Sequence, residues 1–91
     1  MVFGGGPSLK DVDDFSLALI DECIGQALHS GSVSREGFHT ILREMEAYSD
    51  QQNLGTWKKS RMLGNLEMFL SQTVPKDERL ALLAEARDYL I

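Results

Sequence analysis

The sequence predicts an all-α protein built as a small four-helix bundle. Apolar residues recur every three or four positions in four separate stretches of the 91-residue chain, and residues that start or stop helices lie between these stretches. No stretch of useful length alternates apolar and polar residues as a half-buried strand would. We therefore expect one helical domain over 8–91, with helices at about 9–29, 34–48, 56–71 and 75–90.

The first predicted helix follows a glycine-rich stretch, residues 1–7, which has no periodicity and which we expect to be a flexible lead-in. Ser8 suits the N-cap of the helix, Asp11 suits the positive end of the helix dipole, and Gly31 suits a position just past its end. The apolar stripe that we expect to face the core comprises Leu17, Ile20, Cys23, Ile24, Ala27 and Leu28.

The second and third predicted helices each have one clear apolar stripe. Ser32 or Ser34 is placed to cap the second helix, and a polar link from Ser49 to Gly55 separates it from the third. The stripe of the second helix comprises Phe38, Ile41, Leu42, Met45 and Tyr48. The core stripe of the third helix comprises Met62, Leu63, Leu66, Phe69 and Leu70.

The fourth predicted helix has apolar residues on two faces. Pro75 suits its first turn, where a missing N–H does no harm, and Asp77 and Glu78 suit the positive end of its dipole. One apolar face comprises Leu80, Leu83, Leu90 and Ile91, and the other comprises Leu82, Ala86 and Tyr89.

The third helix also has a second apolar stripe, because Trp57 and Met68 lie opposite its core residues, with Gly64 between them and Arg61 alongside. Two stripes per helix indicate either that an oblique packing buries both, or that a further contact surface exists. A short chain gains stability from self-association, and Trp, Met, Tyr and Arg are enriched at the centres of interfaces. The residues expected at a dimer or partner surface are Trp57, Arg61, Met68, Leu82 and Tyr89.

Acidic residues are concentrated in the first half of the chain. The sequence has 14 Asp and Glu against 9 Lys and Arg, and residues 1–50 hold nine of these acids but three of the bases. Affinity for DNA or RNA comes mostly from cationic contacts, so this balance argues against nucleic acid as the main ligand. It favours a protein partner with a basic surface. The residues expected to contact that partner are Asp11, Asp14, Asp21 and Glu22.

The chain offers few residue types for catalysis or cofactor binding. Cys23, His29 and His39 are its only cysteine and histidines, fewer than the four ligands of a structural zinc site. Cys23 falls on the apolar side of the first helix, whereas both histidines fall on polar sides, so we expect no pairing of a nucleophile with a base. We therefore expect no enzyme, no metal and no cofactor.

Compartment and membrane contact can also be predicted. One cysteine cannot form an intramolecular disulfide, and the N-terminus lacks the pattern of a secretory signal, so we expect a reduced, cytoplasmic protein. The apolar runs are much shorter than the roughly 18–20 residues that span a bilayer, so we expect no membrane insertion.

These features together predict a non-catalytic protein-binding module. We expect an inhibitor, an immunity or antitoxin-like protein, or a regulatory adaptor, which docks through its acidic helical surface and forms a homodimer. The alternative is a dimeric transcriptional regulator that associates with nucleic acid through a patch of Lys58, Lys59 and Arg61.

Overall fold

A computed structural model describes residues 7–30 and 33–91, and the regular structure within these ranges is entirely helical. The predicted all-α four-helix bundle is confirmed. The expected lead-in lies, except for Pro7, outside the described residues, and so do Gly31 and Ser32. The helices are α1 (Leu9–Ser30), α2 (Arg35–Gln51), α3 (Thr56–Thr73) and α4 (Lys76–Leu90).

Side-chain caps fix the beginnings of the first two helices. The backbone N–H of Asp11 donates to Ser8 Oγ at 3.3 Å, and the backbone N–H of Ser8 donates to Asp11 Oδ2 at 3.2 Å. This reciprocal pair satisfies donors that the first turn leaves without helical partners. At α2, Ser34 Oγ accepts a hydrogen bond from the backbone N–H of Gly37 at 3.0 Å. Both predicted serine caps therefore act as N-caps.

The helix boundaries lie within three residues of the predicted ones, and those at the end of α2 and the start of α4 show why they differ. Helix α2 extends to Gln51 because Ser49, expected in the link, is buried and still helical. The chain then turns at Asn53, whose φ of 54° is in the left-handed region that Asn tolerates, and the next residue, Leu54, is buried. At α4, Pro75 is the N-cap and not part of the first turn, since its ψ of 154° is extended.

Consecutive helices form two antiparallel hairpins, the first from α1 and α2 and the second from α3 and α4. In the first hairpin Phe15 stacks on Tyr48, with ring centroids 3.9 Å apart, while Gln26 lies beside Gly37 at the other end. Helices α3 and α4 form the second hairpin and also pack against each other. Short connections between consecutive helices favour this arrangement.

The hairpins pack side by side, so that α1 runs parallel to α3 and α2 runs parallel to α4. Asp13 contacts Arg61 across the first pair of helices. Across the second pair, Glu85 contacts Arg35 at 3.3 Å and His39 Nε2 at 2.6 Å. Each helix therefore packs against two others, and the core lies between the four.

The buried side of α1 differs from the predicted stripe. Leu17 is 48% exposed and Leu28 is 82% exposed, so placing these two leucines in the core was wrong. The reason is that α1 turns a different face inward, one that includes the polar Ser16. Its buried members are Val12, Ser16, Ile20 and Cys23.

Both apolar faces of α4 contribute to the core. Leu82 is only 6% exposed, so its predicted place on an exposed contact surface was wrong. Because α4 packs against α2 as well as α3, it buries a wider arc than one stripe, as an oblique packing would. Leu80 and Tyr89 remain exposed. The buried members of α4 are Leu82, Leu83, Ala86 and Leu90.

Candidate protein-binding surfaces

Helix α1 presents a row of apolar and acidic residues along its outer side, exposed except for Ile24, which packs partly against the core. At 100° per residue these side chains fall on one strip of the helix surface, about 20 Å long at 1.5 Å per residue. We call it the α1 strip; it comprises Asp14, Leu17, Asp21, Ile24 and Leu28. The exposed leucines are what distinguishes it from a merely solvated face, because large apolar side chains gain free energy when a partner covers them.

The acids of this helix differ in how far the chain neutralises them. Asp14 lies 3.6 Å from Lys10, but both side chains are well exposed, and such pairs contribute little. Within residues 7–30 and 33–91, neither Asp21 nor Glu22 forms an ion pair. Asp11 is committed to the cap of α1 through Ser8, although it remains exposed.

The structure brings together part of the predicted acidic group. Asp14 and Asp21 belong to the α1 strip, and Asp21 also lines a groove between α1 and α3 of about 200 Å³. Glu22 lies farther round the helix, in a shallow depression beside Gly25 and His29. The other residues that line the α1–α3 groove are Leu17, Ile20, Ile24, Asn65, Met68, Phe69 and Gln72.

A polar network joins α1 to α3 beside this groove. Arg61 donates to both carboxylate oxygens of Asp13, through Nε at 3.0 Å and Nη2 at 2.9 Å. Asn65 Nδ2 donates to Asp13 Oδ1 at 3.0 Å and to the buried Ser16 Oγ at 2.9 Å. Ser16 in turn donates to the carbonyl of Val12 at 2.8 Å. The network fixes the register of α1 on α3 and holds the Arg61 side chain in place.

The hydrogen bonds from Arg61, and then from Asn65, lower the pKa of Asp13 below its ordinary value. A carboxyl whose pKa is lower in the folded state stabilises the fold when ionised, and this stabilisation is lost as the pH falls through the lowered pKa. We expect wild type to be more stable than Asp13→Asn at neutral pH, with the difference shrinking on acidification. Urea unfolding at a series of pH values measures this, with Asp14→Asn as a charge-matched control. A stability difference between wild type and Asp13→Asn that stays constant or grows towards acid pH would contradict this expectation.

A second exposed surface runs along α3. Trp57 is 71% exposed and Met68 is 61% exposed, as expected from their position opposite the core stripe. A groove of about 410 Å³ lies between them, over Ser60, Gly64 and Asn65. We call the exposed row the α3 face; it comprises Trp57, Ser60, Arg61, Gly64, Glu67, Met68 and Ser71.

Two of the three residues of the predicted basic patch already contact other groups of the chain. Arg61 pairs with Asp13, and Lys58 Nζ donates to the carbonyl oxygen of Pro7. Lys59 is partly exposed. A nucleic-acid surface needs cations that are available to phosphates, so this arrangement does not favour the nucleic-acid alternative.

The cysteine and the two histidines that could serve catalysis lie in different surroundings. Cys23 is buried in the core, and burial raises the pKa of its thiol. His39 contacts Glu85 between α2 and α4, and His29 lies near the end of α1. In the part of the chain that the structure describes, no three His, Cys, Asp or Glu side chains form a group that could hold a metal ion, and no helix is sufficiently long and apolar to span a bilayer.

No family model, curated protein or solved structure matches the chain. The surfaces themselves are therefore the guide to function. Two of their features were not found from the sequence. Leu17 and Leu28 were assigned to the core, and the partnership of Ser16 with Asn65 had no sequence signal because the two residues are distant in the chain.

Proposed function

We propose that this chain is a non-catalytic protein-binding module that docks a basic partner protein on the acidic surface of α1. The observation that carries the proposal is the α1 strip, where exposed Leu17 and Leu28 share one row with Asp14 and Asp21. Such a row offers both an apolar area to bury and a charge to select the partner. An inhibitor, an immunity or antitoxin-like protein, or a regulatory adaptor would act in this way.

The leucines supply affinity in this proposal. Leu28 is the most exposed large apolar side chain among the described residues, and Leu17 opens into the groove beside Met68. Fully burying a leucine contributes about 1.5–3 kcal/mol. An amphipathic helix of the partner, laid along the strip, would bury both leucines with anchors spaced as α-helical side chains are.

The carboxylates supply selectivity and speed. Nine of the 14 acids lie in residues 1–50, where two of the three bases, Lys10 and Arg35, are paired with Asp14 and Glu85. The resulting negative potential would attract a partner with Lys or Arg beside its apolar residues, and would raise the association rate at low ionic strength. Covering a basic site on that partner is how the module would inhibit or regulate it. The lone free Cys23 fits a reducing cytoplasm, where we place this activity.

The test begins with tagged protein used to recover a binding partner from the native host, followed by affinity measurements with that purified partner. Leu28→Gln removes the most exposed apolar side chain of the strip while keeping a good helix former. We expect it to weaken binding at least about tenfold, which corresponds to about 1.4 kcal/mol.

The matched control is Leu80→Gln, because Leu80 is also an exposed leucine but lies on α4. We expect this control to bind as wild type does. Equal affinities for Leu28→Gln and wild type, with both proteins folded by circular dichroism, would refute the role of the α1 strip. Weakening by Leu80→Gln alone would move the contact to α4.

A further inference from the structure

Three pairs of exposed residues on α3 lie at equal distances before and after Gly64. Trp57 and Ser71 are each seven positions from it, Ser60 and Met68 are each four, and Arg61 and Glu67 are each three. Every one of these residues is exposed, while the residues of α3 that face the core lie between them in the sequence. In each pair a large side chain is matched with a small one, or a cation with an anion.

This pattern is self-complementary for two antiparallel helices that cross at Gly64. In such a crossing, positions equally far before and after the crossing point oppose each other. Trp57 then faces the small Ser71 of the partner subunit, and Met68 faces the small Ser60 of the partner subunit. Arg61 faces the carboxylate of the partner subunit's Glu67. We infer that a second copy of this chain packs on the α3 face, with the two-fold axis passing through Gly64.

Gly64 suits the crossing point. A Cβ atom built there would meet no atom of the chain within 4 Å, so nothing within the monomer calls for the absence of a side chain. Glycine in the middle of a helix lowers helix stability relative to alanine. Its advantage here is that the backbones of two helices can approach closely where neither carries a side chain.

The surroundings of the α3 face favour the same occupant. Arg61 is held by Asp13 through Nε and Nη2, so its guanidinium is ordered before the second copy arrives and its Nη1 is not used in these bonds. A preorganised cation loses less side-chain entropy on binding. On the α4 side, the exposed Ile91 lines a groove with Ser60 and Gly64, which extends the apolar area around the axis.

The dimer and the docking on α1 use different residues except Met68, which lies on the α3 face and also lines the groove beside Leu17. Leu28, the residue changed in the docking test, lies outside the α3 face. Each dimer would present two copies of the α1 strip. The two proposals therefore fail separately: a monomer can still bind a partner through α1, and a dimer can form without any such partner.

The test is the oligomeric state of the purified full chain by analytical ultracentrifugation, with Gly64→Gln compared with Gly25→Gln. Gly25 is the matched control because it is also an exposed mid-helix glycine with no atom within 4 Å of a Cβ atom. Both substitutions favour the helix, so neither is expected to unfold the chain. We expect a dimer for wild type and Gly25→Gln, and at least about a tenfold higher dissociation constant for Gly64→Gln.

A crosslink tests the position of the axis. Residues on a two-fold axis meet their own copies, so Gly64→Cys should form an intermolecular disulfide under mild oxidation, whereas Gly25→Cys should not. The native Cys23 is buried in both variants. A strictly monomeric wild type would overturn the inference and leave the α3 face to a different protein. A Gly64→Gln variant that dimerises as wild type does, or equal crosslinking of the two cysteine variants, would also overturn it.

Discussion

Phe38→Ala is expected to lower the free energy of unfolding by about 3–5 kcal/mol. Phe38 is 1% exposed and lies on the buried side of α2, among the side chains that the other helices direct into the core. Truncation removes the buried ring and leaves a cavity that close-packed neighbours fill only partly. A domain of this size has a total stability of only several kcal/mol, so the variant should be largely unfolded under mild conditions.

Urea unfolding followed by circular dichroism measures this loss. Leu80→Ala is the control, because Leu80 is 55% exposed and its truncation should cost less than about 1 kcal/mol. Similar losses of unfolding free energy for the two variants would mean that Phe38 does not contribute to the core as its burial indicates.

Reversing the charge of the α1 strip is expected to slow partner association at least about tenfold at low salt. The change is Asp14→Lys with Asp21→Lys, which replaces two exposed carboxylates by cations on the surface that attracts the basic partner. Because salt screens such interactions, the difference from wild type should shrink as ionic strength rises. Stopped-flow measurements with the purified partner at several salt concentrations record this rate.

The control for the reversed strip is Asp88→Lys, which reverses an exposed carboxylate on α4. It should change the association rate much less than Asp21→Lys alone, which has the same change of net charge. Equal effects of these two single variants would assign the attraction to the net charge of the molecule and not to α1.

Local signals in the sequence were sufficient for the existence of the four helices and for the caps of the first two. Ser8 and Ser34 act as caps because a capping serine needs only the backbone of its own first turn. The stripes of α2 and α3 were found for a similar reason: Phe38 and Leu66 belong to apolar rows whose period is that of the helix itself.

What the sequence did not predict depends on how helices pack against each other. Periodicity placed Leu17 and Leu28 on an apolar side of α1, but the buried face is set by the position of α2 and α3 around it. Ser16 is buried because Asn65 of α3 satisfies its hydroxyl, and no local pattern encodes that pair. Leu82 is buried because α4 packs against two neighbouring helices. The sequence of α4 alone does not show how much of its surface those neighbours cover.

The most direct test of partner docking on α1 is amide hydrogen exchange of the chain alone and in complex with the recovered partner. Binding along the α1 strip should slow exchange over residues 14–28 and leave the α2–α4 side around His39 and Glu85 unchanged. Protection confined to α2 and α4, with none over residues 14–28, would contradict the proposed function.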